Sequence, residues 1–234
     1  HLVLGVGEQR KGQPVLGGEL RLAGRAEHAH AEHGGAALGE RLARAEAEKA
    51  GLARQLQAAM PAPTKGAIIN DVMALQGPHA LKVVATHPSA GVCLMHMKGL
   101  PTSMQEDPQY DDVTSEVLAF LRARVDAAVT AGIDVARLVV DPGYGFGKTL
   151  AHNLQLAQGQ AQLLQLGRPL LVGWSRKGTL GRLTGRAVED RLAASVAAAL
   201  AAVRSGAHIV RVHDVAATVD ALKVWRALSE GGGP

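Results

Sequence analysis

The chain is nearly without cysteine, poor in aromatic side chains, and has no apolar run long enough to cross a bilayer. With Cys93 alone it cannot close an internal disulfide, which suits a reducing, cytoplasmic setting. Cys93 lies inside an apolar run, where a thiol behaves as a small buried hydrophobe. Two Phe, two Tyr and two Trp are too few to stack successive bases, and a net charge of +4 with ten scattered His is no basic stripe. A nucleic-acid partner is therefore not expected. The lack of a span or a signal-peptide core argues equally against a membrane partner. What remains is a chain of 234 residues, 47% hydrophobic and 20% charged, sufficient for a real globular core.

A second absence is local. Before Thr64 there is no Ser, Thr, Asn, Asp, Ile, Cys, Phe, Tyr or Trp. Val3, Val6 and Val15 are the only β-branched residues there, which is poor strand material beyond a short strand at 2–6. Leu38, Leu42, Ala45, Leu52 and Leu56 follow a four-three spacing interrupted at Lys49, so residues 36–59 read as one amphipathic helix. His28, His30 and His33 lie at spacings that suit no single helix face, and no metal site is expected from them. The domain reading is therefore an atypical segment over 1–65 and a regular α/β portion over 66–230.

From Ile68 onward, apolar runs of strand length alternate with helical segments. The strands read as 67–70, 92–95, 137–141, 169–173 and 208–213, with helices at 77–86, 113–131, 150–166, 187–205 and 214–228. Five strand–helix units in succession indicate parallel βα architecture. No Gly-x-Gly-x-x-Gly turn follows a first strand, which favours a (β/α)8 barrel over a dinucleotide-binding sheet. The barrel is expected to be incomplete.

Polar residues gather at the strand ends, which in a barrel form one rim. Asn70 ends the first of these strands and offers donor and acceptor together, as a heterocycle edge requires; turn capping is its plainer role. Met95 ends the next, in Met95-His96-Met97-Lys98-Gly99, suited either to a flat ring or to core. Asp141 opens Asp141-Pro142-Gly143-Tyr144-Gly145-Phe146-Gly147-Lys148-Thr149, a strand-end acid followed by a glycine-rich lid without P-loop spacing. Gly173-Trp174-Ser175-Arg176-Lys177 puts two cations after an apolar strand. Arg211 and His213 alternate onto one side of the last strand, an arrangement that suits phosphate oxygens.

The order of these motifs resembles the fourth to eighth strands of dihydropteroate synthases, over residues 68–228. The resemblance implies a pterin-binding (β/α)8 barrel, usually a homodimer. Such enzymes condense 6-hydroxymethyl-7,8-dihydropterin pyrophosphate with p-aminobenzoate, giving dihydropteroate and pyrophosphate with Mg²⁺. It implies Asn70, Asp141 and Lys177 as ring contacts, Met95 and Phe146 as walls, and Gly173 as close backbone access. Arg211 and His213 would clamp pyrophosphate, and Ser175 and Arg176 would lie on the aminobenzoate side that sulfonamides also occupy. None of these residues is expected to be a protein ligand to metal.

The chain also departs from the family. Gly178 stands where Ser usually follows Ser-Arg-Lys, and the approach to Ile68 is about one residue shorter. The family's front loops, Asn-Val-Thr-Pro-Asp-Ser-Phe among them, have no counterpart, because no Asn, Asp, Ser or Phe precedes residue 70. Such a vocabulary is what a GC-rich gene yields in a wrong reading frame; a fused helical segment is the rival explanation. Impaired synthase activity is expected. Two competing functions are a corrinoid-linked pterin methyltransferase and a non-catalytic pterin-binding or dimerisation module. The Ser-Arg-Lys and Arg-Val-His-Asp motifs weigh against the methyltransferase, which holds no pyrophosphate.

Overall fold

The structure is a computed structural model that describes residues 2–5 and 67–229, all within one compact unit. The helix expected at 36–59 and the three N-terminal histidines lie outside the described residues.

Six strands run parallel: β1 (Leu2–Gly5), β2 (Ile68–Asp71), β3 (Gly91–Met95), β4 (Leu138–Asp141), β5 (Leu171–Val172) and β6 (Ile209–Val212). They pair in the orders β2-β3-β4 and β1-β6-β5. A parallel bridge between Val140 and Leu170 joins β4 to the approach of β5, and the Val140 N–H donates to the Pro169 carbonyl at 3.0 Å. The first strand thus lies beside the last, the adjacency a parallel barrel needs to close. The strand expected at 2–6 is this β1.

Around the sheet stand α1 (Ala80–Ala85), α2 (Val113–Thr130), α3 (Leu150–Gln158), α4 (Gly178–Thr184), α5 (Leu192–Arg204) and α6 (Val215–Ser229). Their starts have local causes. Asp112 accepts from the Thr114 and Ser115 N–H groups at 2.9 and 3.2 Å and so fixes the N-terminus of α2. Thr149 and His152 cap α3 reciprocally. The helix expected over 150–166 is α3 followed by a 3₁₀ turn at Gln160–Leu166. The break falls at Gly159, where a Cβ would collide with the Thr114 side chain. The expected 187–205 helix likewise opens as a 3₁₀ turn, Val188–Asp190, before α5.

β3 from Val92 onward and all of β4 are buried, as a parallel sheet covered on both faces demands. Alternation sorts their side chains. Val92, Leu94 and Leu138 pack outward with Val84, Ala128 and Ile133. Val140, Val172, Val210 and Val212 pack outward with Val117, Leu121, Leu156 and Leu163. The inner face holds a separate layer of Cys93, Val139, Leu171 and Ile209. Burial of each such side chain contributes about 1.5–3 kcal/mol. Burial also pushes the Cys93 thiol well above its usual range, so it stays protonated and inert. Two residues further along each strand, the next inner layer is Met95, Asp141, Gly173 and Arg211.

Candidate active site at the strand ends

That layer is where the polar strand tips meet. Asp141 is 1% exposed; its Oδ1 accepts from the Gly143 N–H at 2.8 Å and its Oδ2 from Arg211 Nη2 at 3.1 Å. Burial pushes the Asp141 carboxyl up from its ordinary value. The Arg211 guanidinium, the Gly143 N–H, Lys177 and Lys148 all pull against that rise, favouring the carboxylate. Arg211 lies flat against Gly173, where an added Cβ would sit 3.2 Å from Nη2. Glycine at 173 is thus what lets the guanidinium reach Asp141.

The loop after β4 is pressed onto the end of β3. Gly143 and Gly147 have φ of 65° and 61°, and a Cβ on either would run into the carbonyl oxygen of His96 or Lys98. The loop carries its own fastenings. Asn153 Oδ1 accepts from the Gly145 N–H at 2.7 Å, and Gln105 donates to the Gly145 carbonyl at 2.7 Å. The lid read from sequence is in fact a fitted cover, and it brings Phe146 under Lys177, whose Nζ lies 4.1 Å from the ring centroid. Burial lowers the Lys177 pKa, with Asp141 opposing the change.

Sequence reasoning passed over Lys148 as a binding or catalytic candidate. It is 3% exposed, and its Nζ lies 2.9 Å from His96 Nδ1 while donating to the Gly143 and Phe146 carbonyls at 3.0 and 3.1 Å. Three acceptors match the three protons of an ammonium. Burial pushes Lys148 down to about 7 and His96 down to about 3, which leaves His96 neutral and able to accept. Nothing in the sequence marks a lysine as buried, and its place after Phe146-Gly147 was the only available signal.

The remaining expected residues divide. Ser175 Oγ and His213 Nδ1 are 2.9 Å apart, and the His213 N–H donates to the same oxygen at 3.1 Å. Burial lowers the His213 pKa, with Arg176 adding to the effect. Arg176 has φ of 58° and forks onto Asp214, at 2.8 and 3.3 Å. Met95 is wholly buried beneath the Gly143 turn. Asn70 is exposed at the end of β2, its Cα in register with Cys93 and so set back from Asp141. A cleft of ≈ 290 Å³ opens beside this cluster, lined by Gln105, Gly145, Lys148, Thr149, Lys177 and Arg182 among others. Of the expected residues, only Lys177 reaches it.

Comparison with known proteins shows the family. The family described as pterin binding enzyme matches residues 53–213. The chain belongs to that family. The dihydropteroate synthase of Neisseria meningitidis serogroup B is 53% identical over 165 residues, which are 69% of this chain and 58% of that protein. The crystal structure of the Stenotrophomonas maltophilia dihydropteroate synthase with active-site-bound imidazole superposes with a TM-score of 0.68 at 52% identity, covering 71% of this chain and 63% of that one. The Xanthomonas albilineans enzyme in complex with 7,8-dihydropteroate gives 0.65 at 51% identity, covering 71% and 60%. The chain spans about 58% of the length of the curated relative it matches. The resemblance read from the strand-end motifs and the barrel-type parallel α/β fold are both borne out.

Among the described residues, no three His, Cys, Asp or Glu side chains come together, and both Asp141 oxygens are engaged. No described helix is long and apolar enough to cross a membrane.

Proposed function

We propose that this chain binds 6-hydroxymethyl-7,8-dihydropterin pyrophosphate at the ends of β4, β5 and β6, and belongs to the reaction that joins it to p-aminobenzoate. The observation that carries the reading is the pair of buried Asp141 with half-buried Arg211 beside Gly173, one layer above an apolar floor. A buried carboxylate accepts ring N–H donors and favours the electron-rich pterin. Lys177 supplies a donor over the ring edge, and Asn70 and Phe146 complete the contacts from either side. Arg211 and His213 face the pyrophosphate, Ser175 positions His213, and Arg176 belongs to the aminobenzoate end. The C–O bond to pyrophosphate breaks with its electron pair, the amine nitrogen bonds to the freed methylene carbon, and the amine proton leaves to solvent.

The same reading includes a homodimer, a cytoplasmic setting, the two-part organisation 1–65 and 66–230, and Mg²⁺ as the family reaction's metal. Turnover by these 234 residues alone is expected to be slow or absent, because residues 1–69 hold no Asn, Asp, Ser or Phe to supply the family's front loops.

Calorimetry with the pterin pyrophosphate, paired with a pyrophosphate-release assay in the presence of p-aminobenzoate, tests both halves. Binding that Asp141→Asn removes, with little release, is the expected result. Absence of binding would overturn the assignment, and full turnover would overturn the impairment.

A further inference from the structure

The Ser175-Arg176-Lys177 turn follows a strand of only two residues, β5, yet Arg176 holds a left-handed φ of 58° there. A non-glycine residue in that region is strained and persists only where its surroundings fix it. The fixing comes from the start of α5. Arg191 Nη1 donates to the Arg176 carbonyl at 3.0 Å and to the Lys177 carbonyl at 3.4 Å, while its Nε donates to the Arg186 carbonyl at 3.1 Å. Ser195, one turn on, accepts from the Arg176 N–H at 3.0 Å and returns its own proton to the Arg191 carbonyl at 2.6 Å. The peptide groups on both sides of Arg176 are thus held from one helix end.

Gly181 shows that this seat is shaped for a guanidinium. A Cβ at 181 would fall on the Arg191 side chain, within 2.8 Å of Nε and 2.6 Å of Cζ. Gly181 lies in α4, where glycine is less favourable than alanine, so its presence calls for such a reason. Lys177 in turn is the residue before α4, and its carbonyl also accepts from the Leu180 N–H at 3.0 Å. The backbone of Lys177 is therefore caught between Arg191 and the first turn of α4.

We infer that Arg191 and Ser195 are positioning residues that set the Arg176–Lys177 backbone so that the Lys177 ammonium lies over Phe146 and faces the ligand. Neither touches the proposed ligand. A guanidinium is needed because three carbonyls in different directions must be reached at once; a lysine ammonium at 191 would reach fewer of them. The inference rests on the proposed pterin site in one respect only, that Lys177 meets the ligand.

The test has a readout independent of ligand. Lys177 methylene protons near the Phe146 face carry an upfield ring-current shift in ¹H–¹³C NMR spectra. Arg191→Gln and Gly181→Ala are each expected to collapse that shift toward the exposed-lysine position. Arg137→Gln is the control: it removes an arginine brace to the Val84, His87 and Ala90 carbonyls and leaves the shift in place. Pterin pyrophosphate affinity is expected to fall about tenfold in the first two variants and not in the third, a change equal to about 1.4 kcal/mol. Should Arg191→Gln fail to fold, Gly181→Ala decides. An unchanged ring-current shift in Gly181→Ala would overturn the inference. Failure of the unsubstituted chain to bind pterin would overturn the proposed function instead, leaving the ring-current result to judge the brace.

Discussion

The rim over β4, β5 and β6 and the rim over β2 carry the same kind of residue in different states. At the first, Asp141 and Arg211 are bonded to each other in the interior, and Lys148 and His96 form a second buried pair nearby. At the second, Asn70 stands exposed while Asp71 beside it accepts from the N–H groups of its own following loop, at Met73 and Leu75. A polar group with strands on both sides acquires partners and loses water, and its electrostatics then matter. A polar group at the β2 end of the described sheet keeps its water. Substitutions over β4–β6 should therefore damage folding and binding together, whereas those over β2 should touch binding only.

The largest effect is expected at Asp141. Asp141→Asn removes a charge from beneath Arg211 and two acceptor sites from the ligand. Charged hydrogen bonds contribute about 1.5–3 kcal/mol each, so pterin affinity should fall by about 100-fold in calorimetry, with a lowered Tm. Next is Gly147→Ala, which requires a Cβ at positive φ against the Lys98 carbonyl. It should cost about 2–3 kcal/mol in denaturant unfolding and loosen Phe146 from Lys177. An effect confined to Tm would mean that the loop does not position Phe146.

Lys148 gives a pH test. Its folded pKa of about 7 lies below the ordinary 10.5, so between those values the unfolded chain binds the extra proton. Stability then rises with pH across that window, and the buried charge is a full penalty below about pH 7. Lys148→Met should flatten the rise, seen as the difference between the two proteins' unfolding free energies at pH 7 and pH 10. The smallest effect is expected for Asn70→Ala, a few-fold weaker pterin affinity with Tm unchanged. A clear loss of Tm would show that Asn70 is structural and erase the contrast between the rims.

Much of the sheet was readable because buried parallel strands are short apolar runs, and Val139-Val140 or Ile209-Val210 admit little else. The strand-end acid and cations were readable because alternation carries the inner face from Val139 to Asp141 and from Ile209 to Arg211. α4 was not: Gly178-Thr179-Leu180-Gly181 has two glycines in four residues, and only the Lys177 carbonyl and the Arg191 seat reveal why a helix forms. β5 is shorter than read because Pro169 offers no N–H and the chain turns at Ser175 and Arg176 soon after it. Lys148, Arg191 and Ser195 stayed hidden for a common reason, since burial and contacts across 15 to 52 positions leave no local pattern.

Asp141, Gly173, Lys177 and Arg211 are proposed to surround one flat ligand. Amide chemical-shift mapping of the chain during titration with 6-hydroxymethyl-7,8-dihydropterin pyrophosphate tests this directly. Saturable shifts concentrated at residues 141–147, 173–177 and 211–213 are the predicted result. Shifts scattered over the helices, or none at millimolar ligand, would contradict it.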